Sequence, residues 1–554
     1  MMKRNYILEE NVECKLSDGT ILRSDVYRPN DDHRYPVLML RLPYDKKTPR
    51  YFNEYVEVPR MVDAGYIVIL QDVRGRFASD GAFYPFVNER KDGYESVEWA
   101  ASLPCSNGKV GLFGMSYHGY TQFAAAAEMP PSLKAIAPVM SMTDPWTGML
   151  HNENALVEIG SFATWTLESI LPNMLKRRGE KRNVQQYTDD LPDWISYAPS
   201  NTWPPLKELD PNSFFFDFIN KNMNQEMIEY ISLYDHLQEM KVPALFIGGW
   251  FDSLLKSTIK AYQNYTGPSM LWIGPWTHTE MTGRAGECYF EDSATSIGMD
   301  KIQDPTELHI RWFDHWLKDK PLAIDKSVHL YKMGQKTWEA LECLPASVHV
   351  QYFYLESNGD ARTLHGDGRL MMEPTTIDSL NKLLLDPKNP VPSYGGNSIV
   401  AGQEAGMFDQ RKIQSRKDVL VYTSRPLETP LNIYGLVQAD IWASSPSSLL
   451  DIFIRVSDVY PDGRAYNIVD SFHREVVNKD QPARIQMGVN YTAYQVKAGH
   501  SIRIEIAASN APQYDVNQNN GQTSITASNG LPAYETIYHS KRYPSNVILP
   551  LENT

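Results

Sequence analysis

The sequence predicts an α/β domain built on a parallel sheet, interrupted by a helical insertion and followed by a β-sandwich of jelly-roll type. Three observations carry this. Apolar runs of strand length alternate with segments of helical spacing up to about Met140 and again from Val242 to Leu317. Between Asp144 and Asp235 buried-looking strands give way to amphipathic pieces rich in Trp, Phe and Met. Beyond about residue 346 helical spacing largely vanishes and short alternating runs take over. Strand, helix, strand in repetition implies a parallel sheet covered on both faces. Many short alternating runs imply a sandwich.

In order, residues 5–30 alternate around the turn Ser17-Asp18-Gly19-Thr20, predicting an antiparallel hairpin at the sheet edge. Buried strands are expected at Pro36–Leu42, Ile67–Leu70, Val110–Phe113 and Ala135–Met140, with helices over Val56–Ala64, Asp92–Ala101 and Tyr120–Glu128. Trp146, Trp165, Trp194, Trp203 and Phe214 to Phe216 mark the insertion. Such an insertion is expected to lid the C-terminal edge of the sheet, where ligands bind. Val242–Gly249 and Ser269–Gly274 resume the strand series, and Glu307–Leu317 reads as a closing helix. Val348–Leu355, Val419–Thr423, Leu431–Trp442, Leu449–Val456 and Ser501–Ala507 read as sandwich strands. The expected divisions are 1–143 and 236–345 for the α/β domain, 144–235 for the insertion and 346–554 for the sandwich.

A chain of 554 residues is expected to form more than one domain. Its net charge of −14 argues against a nucleic-acid partner, because no basic excess is present to neutralise phosphates. Cys14, Cys105, Cys288 and Cys343 are scattered without metal-site or framework spacing and are expected to be reduced thiols. The N-terminal residues Met1 to Tyr6 give no secretory pattern and no run is long enough to span a bilayer, so a cytoplasmic, membrane-free protein is expected.

The chemistry centres on Val110 to Gly119, an apolar strand running into a glycine-flanked turn that carries Ser116. A strand, a tight turn and a helix can lift a nucleophilic hydroxyl above a sheet edge. Here the second glycine falls three residues after the serine, at Gly119, so His118 must find room beside it. An ordinary strand-to-helix turn is the competing reading. A nucleophilic serine needs a base, and the base needs an orienting acid. Asp252 follows the strand ending at Gly249, and His278 follows the strand ending at Gly274. Two further histidines downstream of Asp252, His309 and His315, fall in a helical pattern, and His278 is the expected base. The order serine, acid, histidine at three strand ends is that of an α/β-hydrolase. The backbone N–H of Tyr117 is expected as one oxyanion donor, and with no HGGG run present the phenol of Tyr44, in Arg41 to Lys46, is the candidate second donor.

These residues resemble the CocE/NonD hydrolase family, which is related to X-Pro dipeptidyl peptidases and α-amino acid ester hydrolases. The resemblance spans the chain and rests on Leu42-Pro43-Tyr44-Asp45-Lys46, Asp72-Val73-Arg74-Gly75-Arg76, Gly114-Met115-Ser116-Tyr117-His118-Gly119, Gly249-Trp250-Phe251-Asp252 and Gly274-Pro275-Trp276-Thr277-His278. The family elbow is G-x-S-Y-x-G, which accounts for the displaced glycine. The resemblance implies a Ser116, Asp252, His278 triad, an oxyanion hole from Tyr44 and Tyr117, a helical cap, a C-terminal jelly roll, no metal or organic cofactor, and often a homodimer. In the cocaine-esterase pattern a cap tryptophan lines the acyl pocket, and Trp165 falls at comparable spacing. The α-amino acid ester hydrolases carry acidic residues two and three positions after the catalytic aspartate, where this chain has Leu254 and Leu255, implying an apolar acyl pocket with Leu254 in its wall. The expected function is therefore a serine hydrolase acting on small-molecule carboxylic esters, with amides as a second substrate class. An X-Pro dipeptidyl-peptidase-like aminopeptidase, a β-lactam acylase and a non-catalytic glycan-binding protein with a vestigial hydrolase domain are the competing readings.

Overall fold

A computed structural model describes residues 6–151, 156–182, 184–220, 222–295, 304–322, 324, 326–345 and 349–552. The expected boundary at 345/346, the start of the Val348 run and the first residue of the 5–30 hairpin fall at or within residues outside that set.

The N-terminal half is organised by a ten-stranded sheet. Its strands are β1 (Tyr6–Lys15), β2 (Ile21–Pro29), β3 (Tyr35–Leu42), β4 (Ile67–Asp72), β5 (Ser106–Met115), β6 (Leu133–Val139), β7 (Ala244–Phe251) and β8 (Ser269–Thr277), joined, after a small hairpin of β9 (Arg284–Ala285) and β10 (Cys288–Tyr289), by β11 (Val328–Lys332) and β12 (Thr337–Leu341). The spatial order is β1-β2-β4-β3-β5-β6-β7-β8-β11-β12. From β4 through β11 neighbours run parallel, and the edges are closed by antiparallel β1–β2 and β12. Strands buried on both faces need apolar residues at nearly every position. β3, with Pro36 to Leu42 all buried, meets that demand. The exception inside it, Arg41, is held by Gln71 and by Glu89 at 3.2 Å.

Helices α1 (Val58–Asp63), α2 (Glu89–Ser102) and α3 (Tyr117–Ala127) cross between strands. The α3 helix starts three residues before the expected Tyr120. The Ser116 carbonyl already accepts the Gly119 and Tyr120 N–H groups, so the turn passes into helix without a linker. Between β6 and β7 the insertion forms short helical segments from Trp146 to Gln238. The helix Pro305–Lys318 packs its buried Leu308, Trp312 and Phe313 below the sheet. It does not close the sheet: β11 and β12 follow it, two strands absent from the sequence reading. His329 in β11 reads as polar, yet its ring stacks on Trp272 of β8 at 3.8 Å and is buried. None of the described helices is long and apolar enough to cross a membrane.

From His349 onward the chain is β-rich, with eleven strands linked into a sheet system in which Leu431–Ser444 pairs with both Ala483–Val496 and Asn546–Leu551. Several of its strands, Ser379–Leu385, Ala465–Val476 and Ala483–Val496 among them, lie outside the runs singled out in the sequence. Inside it Arg474 is buried between Asp451 at 2.7 Å and Asp515 at 2.6 Å. Asp515 also accepts the Val157 N–H of the insertion, at 2.7 Å, tying the two regions together.

One buried ion pair sets the loop that carries Tyr44. Lys46 Nζ lies 2.6 Å from Asp72 Oδ2, and both side chains are almost fully buried. The pair joins the end of β4 to the loop after β3. Without Asp72 the ammonium keeps Asp25 at 3.9 Å and the Asn11 amide oxygen at 3.0 Å, so Asp72→Asn is expected to lower unfolding free energy by about 1.5–3 kcal/mol, the scale of one charge-assisted hydrogen bond. Denaturant unfolding of the two proteins measures this.

Candidate active site

Ser116 sits between β5 and α3 with φ 61 and ψ −125, a left-handed conformation that a serine adopts only when its surroundings impose it. The imposing contacts are identifiable. Its N–H donates to the Val139 carbonyl at 2.9 Å, and its own carbonyl accepts from the Ser141 hydroxyl at 2.8 Å. Gly119 makes the close approach possible: a Cβ there would lie 2.3 Å from the Cβ of Ser141.

Asp252 and His278 each follow the last residue of their strand, β7 and β8. The two strands are parallel neighbours with Gly249 opposite Gly274, so the residues after them emerge side by side. His278 Nδ1–H donates to Asp252 Oδ1 at 2.7 Å, and the Ser116 hydroxyl donates to His278 Nε2 at 3.0 Å. Asp252 is fully buried. A hydroxyl, an imidazole and a buried carboxylate in one hydrogen-bonded line can move a proton from the hydroxyl to the ring and hold the resulting imidazolium. His309 and His315 are elsewhere occupied: both lie on the helix Pro305–Lys318, where His309 bonds the Pro305 carbonyl and the Tyr55 hydroxyl, and His315 bonds the Lys320 carbonyl.

The line opens into a cavity of about 220 Å³ lined by Tyr44, Ser116, Tyr117, Trp165, Leu254 and His278, with Phe86, Phe162 and Met142 in an otherwise largely apolar wall. Trp165 Nε1–H donates to the Tyr44 oxygen at 2.9 Å. Indole is a donor only, so the phenol proton is left free to point elsewhere. Burial pushes the Tyr44 phenol up to about 12, which keeps that proton in place near neutrality. Tyr117 turns its side chain away: the hydroxyl donates to Glu89 at 3.0 Å and accepts the Phe86 N–H at 2.9 Å. Its backbone N–H is the first of α3 and has no intrahelical acceptor by position.

Four supporting residues escaped the sequence reading. Arg76 is buried and donates to the carbonyls of Pro43, Ser169 and Ile170, clamping the Tyr44 loop to the insertion. Its motif was visible but not its partners. Asn397, from the β-rich region, donates its Nδ2–H to the Asp252 backbone carbonyl at 2.9 Å and has no motif to betray it. His118, for which the sequence asked only for room, is buried edge-on against the rings of Tyr44 and Tyr51, and neither ring nitrogen has a partner among the described residues. Burial lowers its pKa to about 3, so the ring is neutral. Glu158 is the fourth. Burial pushes its carboxyl up to about 7, against hydrogen bonds from Gln513 and Ser161, and the Asp252 charge adds to the rise.

Glu158 yields a pH-dependent prediction. Between about 4.5 and about 7 the unfolded chain loses this proton while the folded chain keeps it, so the contribution of Glu158 to stability falls as pH rises. Glu158→Gln keeps the hydrogen-bonding shape and removes the titration. The variant is expected to gain on the native protein in denaturation midpoint as pH rises through that window, the gain levelling off above 7.

Comparison with known proteins follows this geometry. Residues 18–280 match the family described as X-Pro dipeptidyl-peptidase (S15 family), and residues 324–548 match its C-terminal non-catalytic domain. The cocaine esterase of Rhodococcus sp. (strain MB1 Bresler) is 31% identical over 100% of both chains. Among solved structures, an α-amino acid ester hydrolase superposes with TM-score 0.82 at 22% identity, covering 99% of this chain and 97% of that one. A CocE/NonD family hydrolase from Staphylococcus aureus superposes with TM-score 0.68 at 16% identity, covering 99% and 94%.

Proposed function

This chain belongs to the CocE/NonD family of serine hydrolases and is a hydrolytic enzyme, and from that premise we propose that it cleaves small-molecule carboxylic esters through an acyl-enzyme on Ser116. The observation that carries the reading is the hydrogen-bonded line from Ser116 through His278 to Asp252 at 3.0 and 2.7 Å. Ser116 Oγ attacks the ester carbonyl while His278 Nε2 takes its proton, and Asp252 orients and stabilises the imidazolium. The oxyanion receives hydrogen bonds from the Tyr44 hydroxyl and the Tyr117 N–H. Collapse of the tetrahedral intermediate breaks the ester C–O bond, and His278 returns its proton to the departing alkoxide. Water then attacks the acyl carbon by the same route, releasing the acid and restoring the serine.

In this reading Trp165 has two tasks, lining the pocket and fixing the Tyr44 oxygen so that the phenol proton faces the oxyanion. Leu254 forms part of the apolar wall. An aminopeptidase or acylase acting on a charged amine terminus is less well supported, because no Asp or Glu lines the cavity among the described residues. We read the β-rich region as a jelly roll, a reading its largely antiparallel pairing favours.

Two measurements test the proposal. A fluorophosphonate is expected to label the native protein at Ser116 and to leave Ser116→Ala unlabelled; equal labelling of both would refute the nucleophile. Tyr44→Phe is expected to lower kcat on an activated ester by roughly 10²–10³, the scale for one oxyanion donor. Full turnover would remove Tyr44 from that role.

A further inference from the structure

The cavity that holds Ser116 also holds one permanent cation. Arg50 opens the helical turn Arg50–Glu54 directly after Pro49 in the Tyr44 loop, and its side chain lines the cavity. Its guanidinium has no carboxylate, carbonyl or aromatic-face partner among the described residues. Other arginines near the site have fixed partners: Arg41 pairs with Glu89, Arg74 with Asp92, and Arg76 donates to three backbone carbonyls. The rest of the lining offers Arg50 nothing of opposite sign, since among the described residues it contains no Asp or Glu. A planar fork of donors left open beside a reacting serine matches the geometry of a carboxylate.

The surroundings place this cation in the binding half of the cavity. Tyr51, the next residue, stacks on the Tyr44 ring at 5.9 Å and 8°, and His118 meets both rings edge-on at 5.3 and 5.2 Å. The Tyr44 hydroxyl end, by contrast, meets Trp165, which stacks with Phe86 and Tyr117 in an aromatic wall. Tyr44 therefore divides a polar side, built from Arg50, Tyr51 and His118, from an apolar side. On the polar side His118 is neutral through burial, with the Arg50 charge adding a smaller downward pull, and since both its ring nitrogens are enclosed by protein it adds no charge to that of Arg50. The whole chain carries −14, so attraction for an anion at this point comes from the local guanidinium and not from the overall field.

We propose that the substrate is an anionic ester whose carboxylate is held by Arg50, beside the rings of Tyr51 and His118. The proposal rests on the ester-hydrolase reading of the same cavity and narrows it. A substrate bearing an ammonium group is disfavoured on the same ground. The carboxylate has two possible locations, the acyl half or the alcohol half, and either presents the same group to Arg50.

Two matched ester pairs distinguish these. The p-nitrophenyl hemiester of glutaric acid and the p-nitrophenyl ester of glutaramic acid differ on the acyl side by a carboxylate against a near-isosteric neutral carboxamide. The butyrate esters of 4-hydroxybenzoic acid and of 4-hydroxybenzamide differ in the same way on the alcohol side. In the native protein kcat/KM is expected to favour the anionic member of one pair by about tenfold or more, the scale of a charge-assisted hydrogen bond. Arg50→Gln is expected to bring that ratio to about one, and Arg50→Lys to restore part of it. A purely structural role for Arg50 would lower both members alike and leave the ratio unchanged. A ratio near one in both pairs with native protein, or a ratio untouched by Arg50→Gln, overturns the proposal while leaving the esterase reading standing. Competition binding of the same esters to Ser116→Ala, with and without Arg50→Gln, reads the anion preference without turnover. Should native protein hydrolyse none of the four while Ser116→Ala still prefers the anionic members through Arg50, the esterase reading fails and the carboxylate site survives.

Discussion

The hydrogen bond from His278 to Asp252 is the contact on which the rest of the site depends. It exists because β7 and β8 are parallel neighbours, since adjacent strands lie about 4.8 Å apart and residues leaving both ends together must meet. The pairing is tight enough that a Cβ on Gly249 would fall 2.4 Å from the Trp276 carbonyl. The β-rich region adds a second restraint through Asn397, which holds the Asp252 backbone and is itself linked through Gln513 to Glu158 in the insertion. Three parts of the chain thus converge on Asp252. The C-terminal half is in this sense part of the site, although it contributes no residue to the proposed proton path.

Burial does most of the electrostatic work around this contact. It holds the Tyr44 phenol protonated and the His118 ring neutral. It also makes the charged groups that remain depend on fixed partners: Lys46 on Asp72, Arg41 on Glu89, Arg474 on two aspartates. Those pairs tie loops to strands and so hold the cavity's shape. Arg50 differs from them because no partner faces it among the described residues, which is why its counter-charge is sought in the substrate.

The fold was legible where burial on both faces produces long apolar runs. Strands β3 to β8 all follow this rule, and the insertion announced itself by their absence. Strand β11 was hidden because a stacked histidine reads as polar, and many strands of the C-terminal half were hidden because one-face burial leaves a weak alternation. At the site, Ser116, Asp252 and His278 could be found because chain order and strand ends constrain them together. Asn397 and Arg76 could not be assigned roles, since both act through backbone carbonyls, and a carbonyl partner leaves no mark on the sequence. His118 stood beside the nucleophile in plain view, but that its ring nitrogens lack a partner among the described residues is a property of packing alone.

The central claim is that Ser116 becomes acylated. Rapid acid quench of the protein with an activated ester during the first turnover, followed by peptide mass spectrometry, measures it directly. The account predicts a mass increase equal to the acyl group on the peptide bearing Ser116, appearing before steady-state release of acid. Product formation with no acyl adduct, or with the adduct confined to another residue, would contradict it.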